Sequence, residues 1–159
     1  MDISDLIGFT GRINRARWWL WIILMAAIWA PIFFMLVAIF GVGGELTAPI
    51  RSVASSRTIA MIQIIGLAVT GYPSTALAVK RLNDRDRPRL LAFVFWAPSV
   101  QYILSELLGL PTSLEMYSTE FGMMIETISI LLSIWAFIEL GILKGTNGPN
   151  QHGPDPLAK

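Results

Sequence analysis

The chain has no cysteine and one histidine, His152. The first absence excludes a disulfide framework, a thiolate metal site and a thiol nucleophile. The second leaves no histidine pair for a metal ion and no arguable Ser-His-Asp arrangement. Lys144-Gly145-Thr146 lacks the upstream glycine spacing of a phosphate loop. No catalytic residue, metal or cofactor is therefore expected. Charge is scarce as well: charged residues are 14% of the chain and the net charge is +1. That argues against a nucleic-acid partner.

What the chain has instead is long apolar runs. The hydrophobic fraction is 54% and the mean hydropathy is +0.60, both displaced from soluble averages toward membrane proteins. Four runs stand out, at 18–40, 58–79, 90–110 and 121–143. A helix needs about 20 apolar residues to cross a hydrocarbon core of roughly 30 Å. The first and last runs reach that length and the other two come close. The expected fold is an all-α integral membrane protein with four transmembrane helices in one membrane domain over 1–159. Ile3, Leu6 and Ile7 have the spacing of a short interfacial helix with Ser4 and Asp5 opposite, though a frayed tail fits equally.

Charge asymmetry sets an orientation. Ten of the twelve Lys and Arg residues lie before the first run, between the second and third, or after the fourth. Basic residues in short connections are retained in the cytoplasm, which puts both termini there. An even number of spans is needed for that, and four satisfies it. Trp18, Trp19 and Trp21 fall where indole rings favour the interface, and they read as headgroup anchors.

Each of three runs has an interior proline, Pro31, Pro73 and Pro98, which removes a backbone donor and frees the carbonyls of Ala27, Val69 and Val94. Tyr72, Ser74 and Thr75 are close enough to re-satisfy the second of these. Hinges and static kinks both fit.

Polar residues inside apolar runs are costly. Glu126 and Glu139 are separated by 13 residues, about 20 Å along a helix and about 220° around it. One carboxylate pair is therefore excluded. Glu139 is expected to reach Lys80 or Arg81, or to pair with Arg85 in the basic connection. Gln63, Gln101, Glu106 and Glu126 fall at comparable depth and are expected to form an intramembrane polar cluster. It would either hold helices together or line a path for a small solute. Thr112 and Glu115 match a capping box ahead of the last run.

The most distinctive residues lie on the basic side. The connection at 80–89 alternates signs densely, and the tail at 144–159 is rich in turn-forming Gly, Pro, Asn and Asp. A polar cap is expected to join Arg12, Arg81, Asn83, Asp84, Arg85 and Glu139 to the tail, represented by Asn147, Asn150 and Asp155. Arginine suits such a cap because its fork of donors satisfies several acceptors at once. Basic groups near the cytoplasmic surface also attract anionic lipid, at about 1 kcal/mol each.

Three motifs carry a family resemblance. Gly11-Arg12-Ile13-Asn14-Arg15 running into Trp18-Trp19 is the first, and Lys80-Arg81-Leu82-Asn83-Asp84 is the second. The third is Gly145-Thr146-Asn147-Gly148-Pro149-Asn150 with Gly153-Pro154-Asp155-Pro156. In this order they resemble the YhaH-like family of bacterial inner-membrane proteins, the domain of unknown function numbered eight hundred and five. The resemblance implies a small multi-pass protein of the bacterial inner membrane with an unassigned role. This chain has Asn83 where that family usually has histidine.

Two functional classes follow. The first is a non-enzymatic membrane module that binds membrane lipids or a membrane-protein partner, including a second copy of itself, through the cap. The second is a transporter or channel subunit using Glu126 and its polar neighbours. An enzyme ranks third, with no nucleophile–base pair in the sequence.

Overall fold

The computed structural model describes residues 3–41, 56–108 and 120–158. Its elements are all helical. A 3-10 turn at Ile3–Asp5 precedes helix α1 (Arg15–Gly41). Helix α2 spans Ser56–Asp84, and two shorter helices follow, α3 (Leu91–Val94) and α4 (Ala97–Leu108). Helix α5 (Glu120–Ala136) continues into a π-helical turn at Phe137–Ile142.

Asn14 starts α1 as an N-cap: its side-chain oxygen accepts the Arg17 N–H at 2.8 Å, filling one of the donors every helix start leaves open. The long helices then follow from unbroken apolar sequence. Three stretches, Arg15–Leu36, Met61–Asp84 and Gly122–Ile142, are long and apolar enough to cross a membrane. Their apolar side chains point outward. Only 6% of the most apolar window of α1 is buried, the reverse of a soluble helix bundle. Ile23, Ile28, Phe34, Val69 and Leu131 are all exposed, an apolar surface far larger than water tolerates on a monomer.

The third apolar run differs from a single span. It breaks at Phe95 and Trp96, and Pro98 sits in the first turn of α4. Proline is tolerated there because a helix's first N–H groups have no partner in any case. Pro98 thus opens a new helix where an interior kink was expected. The described residues of α4, Ala97–Leu108, extend about 18 Å. The Thr112–Glu115 capping box lies outside the described residues.

Pro73 also behaves differently from expectation. Thr70 and Thr75 hydroxyls donate to the Gly66 and Gly71 carbonyls at 2.7 Å each, and Ser74 donates to the Thr70 carbonyl. None of these bonds reaches the Val69 carbonyl, because a hydroxyl back-bonds one turn before its own position. Helices α1 and α2 pack where Trp29 lies over Gly66: a Cβ on that glycine would stand 2.3 Å from the indole.

The core sits at one end. Ile13, Trp18, Trp21, Leu77, Leu82, Ala92 and Leu140 form a buried apolar cluster beside the charged end of α2. The tryptophans are part of it, correcting their reading as headgroup anchors. Trp21 Nε1 donates to Asp5 at 2.9 Å and Trp19 Nε1 to the Gly141 carbonyl at 3.0 Å. An indole N–H surrounded by apolar side chains needs an acceptor within the protein. Asp5 is accordingly buried, paired with Arg17 at 2.5 Å, and the N-terminal segment is a turn tucked against α1 in place of an interfacial helix.

Candidate functional site

The last turn of α2 is charged and yet buried: Lys80, Arg81, Asn83 and Asp84 are each no more than 7% exposed. A buried guanidinium is costly unless its N–H groups all find acceptors. The π-helical turn after α5 supplies them. Five consecutive carbonyls there accept side-chain donors. Arg85 Nη1 reaches the Glu139 carbonyl at 3.1 Å, Arg81 Nε the Leu140 carbonyl at 2.8 Å, and Trp19 the Gly141 carbonyl. Arg15 reaches the Ile142 carbonyl at 3.2 Å and Arg81 Nη2 the Leu143 carbonyl. A helix end leaves its last carbonyls unpaired and partly negative, so cations are favoured there.

Asp84 joins this arrangement to the tail. Its carboxylate pairs with Arg81 and, at 3.0 Å, with Arg12. Arg12 also donates to the carbonyls of Thr146 and Gly148, at 2.7 Å each, and of Gly153 at 3.3 Å. The tail answers by capping α2. Thr146 donates its backbone N–H and its hydroxyl to the Asp84 carbonyl at 2.8 and 3.0 Å, and Asn150 donates to the Asn83 carbonyl at 2.9 Å. Only glycine fits at 145, where a Cβ would lie 2.0 Å from Asp84 Oδ2. Asn83 Nδ2 in turn donates to the Gly11 and Phe9 carbonyls at 2.9 and 3.2 Å. Each of the three sequence motifs therefore contacts the other two.

Glu139 is brought to this end as expected, and of its expected partners it meets Arg85. Arg85 lies 2.9 Å from its carboxylate and Arg87 3.4 Å. Arg81 is taken by carbonyls, and Lys80 Nζ donates to the Ser4 carbonyl at 2.5 Å. Gly148 (φ 75°) turns the tail back through a left-handed conformation, so that its N–H donates to Asp155 at 2.9 Å. The Leu157 N–H donates at 2.9 Å as well. These two backbone bonds, the Leu157 one foremost, hold the Asp155 carboxyl below its ordinary pKa. Asn147 is exposed at the edge. A recess of about 330 Å³ opens among Arg15, Arg81, Asp84, Lys144, Asn147 and Asp155.

The intramembrane residues Gln63, Gln101 and Glu126 lie on three different helices, α2, α4 and α5. Gln63 borders a cavity of about 460 Å³ with Trp29, Thr70, Trp96 and Ser99. Gln101 accepts a bond from the Ser129 hydroxyl at 3.3 Å, linking α4 to α5. Glu126 is half-buried on α5. The Glu106 side chain lies outside the described residues. Among the described residues no three His, Asp or Glu side chains are grouped as metal ligands.

Arg15, Trp19, Gly145 and Thr146 also belong to the cap; they stand in the sequence motifs, but none was expected as a cap member. The available signal was general: a helix end in an apolar setting needs donors for its last carbonyls, and the first motif places Arg15 and Trp19 one turn apart.

Apolar membrane-length helices gathered at one charged, internally bonded end define the class of protein. Residues 6–154 match the family described as "Protein of unknown function (DUF805)", and the chain belongs to that family. It is 28% identical over 153 residues to "Uncharacterized protein YiiR" of Escherichia coli (strain K12), covering 94% of this chain and 86% of that protein. It is 26% identical over 102 residues to "Inner membrane protein YhaI" of the same strain, covering 64% of this chain and 73% of that protein. No solved structure matches the chain.

Proposed function

We propose that this is a four-span protein of the bacterial inner membrane with both termini in the cytoplasm. Its cap is a non-enzymatic binding platform for anionic lipid headgroups or a membrane-protein partner. The observation that carries the reading is the closure of the cap. Motifs from the N-terminus, the end of α2 and the tail satisfy one another's buried polar groups. Arg15, Arg87 and Lys144 remain at its surface. A network bonded inward is suited to holding a shape, and its basic rim is suited to an anionic surface. The name of the YhaI relative supports the inner-membrane location, and the distribution of Lys and Arg supports the orientation.

Two experiments test it. In intact cells an impermeant maleimide is expected to label cysteines placed at Ser55 or Ser118, and to label Leu157→Cys only after lysis. Labelling of Leu157→Cys in unbroken cells refutes the topology. For the platform, Arg15→Glu with Lys144→Glu is expected to reduce flotation of the purified protein's cap-bearing vesicles with anionic liposomes, or recovery of a cross-linked partner, at unchanged abundance. Unchanged behaviour in both assays removes the platform reading.

The cavity beside Gln63 favours a second reading, a path for a small solute. Flux into liposomes that collapses in Gln63→Leu or Glu126→Gln would replace the platform. The absence of flux for ions, protons and small osmolytes would remove the path.

A further inference from the structure

On the face of α2 away from the recess, a second hollow of about 350 Å³ is bordered by Phe9, Tyr72, Val79, Leu90 and Phe93, with Arg89 at one end. Its walls are apolar and open outward: Leu90 is 74% exposed and Phe93 65%. Phe9 meets Tyr72 edge-on at 5.4 Å. From Tyr72 to Val79 the groove runs about 10 Å along the helix, two thirds of the roughly 15 Å half-thickness of a hydrocarbon core.

The polar end is organised by the cap. Asn83 is fully buried and fixes both parts of the groove. Its Nδ2 holds the carbonyl of Phe9, and its Oδ1 accepts Arg89 Nε at 3.0 Å. Arg89 Nη2 lies 3.2 Å from His152 Nδ1. Two corners of the guanidinium are thus anchored. Nη1 is left without a protein acceptor among the described residues, on a side chain that is itself exposed. Asp86 is occupied by Gln151 at 2.7 Å and stands 3.8 Å from His152 Nε2.

We propose that this groove binds one anionic phospholipid of the inner leaflet, its acyl chain along Tyr72, Val79 and Phe93 and its phosphate on Arg89. An apolar trough ending in an oriented, part-vacant guanidinium complements an amphiphile with a phosphate at one end. Arginine's fork matches phosphate oxygens. The trough lies on a helix long and apolar enough to cross a membrane, so lipid is the medium that reaches it. The inference rests on the membrane-inserted reading above but concerns a different surface from the recess.

The test uses the full chain in vesicles of phosphatidylethanolamine and phosphatidylglycerol, with a photoactivatable group midway along one acyl chain of either lipid. Mass spectrometry of the irradiated protein is expected to place modification on Tyr72, Leu90 and Phe93, roughly fivefold higher with the phosphatidylglycerol probe than with the phosphatidylethanolamine probe. Arg89→Gln is expected to abolish that preference. Because Arg89 also touches Asn83 and His152, Phe93→Ser serves as the second variant; it removes a groove wall without touching a cap partner and is expected to disperse the labelling. Modification spread evenly over α1, α2 and α5, equal labelling by the two probes, or labelling unchanged in both variants overturns the groove. Reversed cysteine accessibility sinks the topology instead, so the two failures are distinguishable.

Discussion

The charged end of the molecule and the apolar length of its helices are held by different physics. At the charged end the side chains of Arg12, Arg81, Asn83 and Asp84 are buried, and each is fixed by partners from at least one other segment. Along the helices, contacts are chiefly between aliphatic and aromatic surfaces, with few polar links such as Ser129 to Gln101, and Phe34, Ile39, Met61 and Met124 face outward. A buried charge tolerates one arrangement, because any other leaves it unsatisfied. An apolar face against lipid tolerates many, because a displaced side chain finds equivalent surroundings. The cap should therefore be specific and fragile, and the spans adaptable.

The largest test of that contrast is Asp84→Ala, which leaves the Arg12 and Arg81 guanidiniums without their shared carboxylate. We expect a loss of about 3–5 kcal/mol, measured by denaturation in detergent micelles; a loss below about 1 kcal/mol would show that the cap is not what fixes this end. Gly145→Ala comes next. Its Cβ would collide with Asp84, an overpacking cost of about 1–3 kcal/mol, visible as faster hydrogen exchange at the Thr146 amide.

Acid should loosen the tail more gently. The Asp155 carboxyl is held below its ordinary pKa by the Leu157 and Gly148 N–H groups. A depressed folded value means the contribution is complete above the unfolded pKa and is lost as pH falls through the folded one. Protection of the Gly148 and Leu157 amides, taken relative to intrinsic exchange at each pH, should therefore fall only on the acid side, and Asp155→Asn should remove that pH dependence. The smallest effect is expected for Glu126→Gln on α5, within about 0.5 kcal/mol. A loss comparable to that of Asp84→Ala would erase the distinction between the two regions.

Much of the helical architecture was legible in hydropathy, because lipid-length apolar runs have few alternatives to helix. The break within the third run was not legible because hydropathy ignores where a proline falls within a turn: Pro98 begins a helix as readily as it kinks one. The members of the cap were legible as distinctive charged and turn-forming residues, down to Arg12 and Asn150. Their pairing was less so. Glu139 had Lys80, Arg81 and Arg85 as candidate partners; it meets Arg85 together with Arg87, while Arg81 is held by the Leu140 and Leu143 carbonyls and by Asp84. The tryptophans were placed by composition at an interface, yet their N–H groups were claimed by Asp5 and Gly141.

Sequence alone determined that this chain makes long apolar helices with their charge concentrated at one end. Both are sums over local composition. Only the tertiary structure decided which donor meets which carbonyl, why position 145 must lack a side chain, and how Asn83 holds Phe9 and Arg89 together. Most of those depend on angstrom-scale approach between segments 54 or more residues apart, which no local pattern encodes.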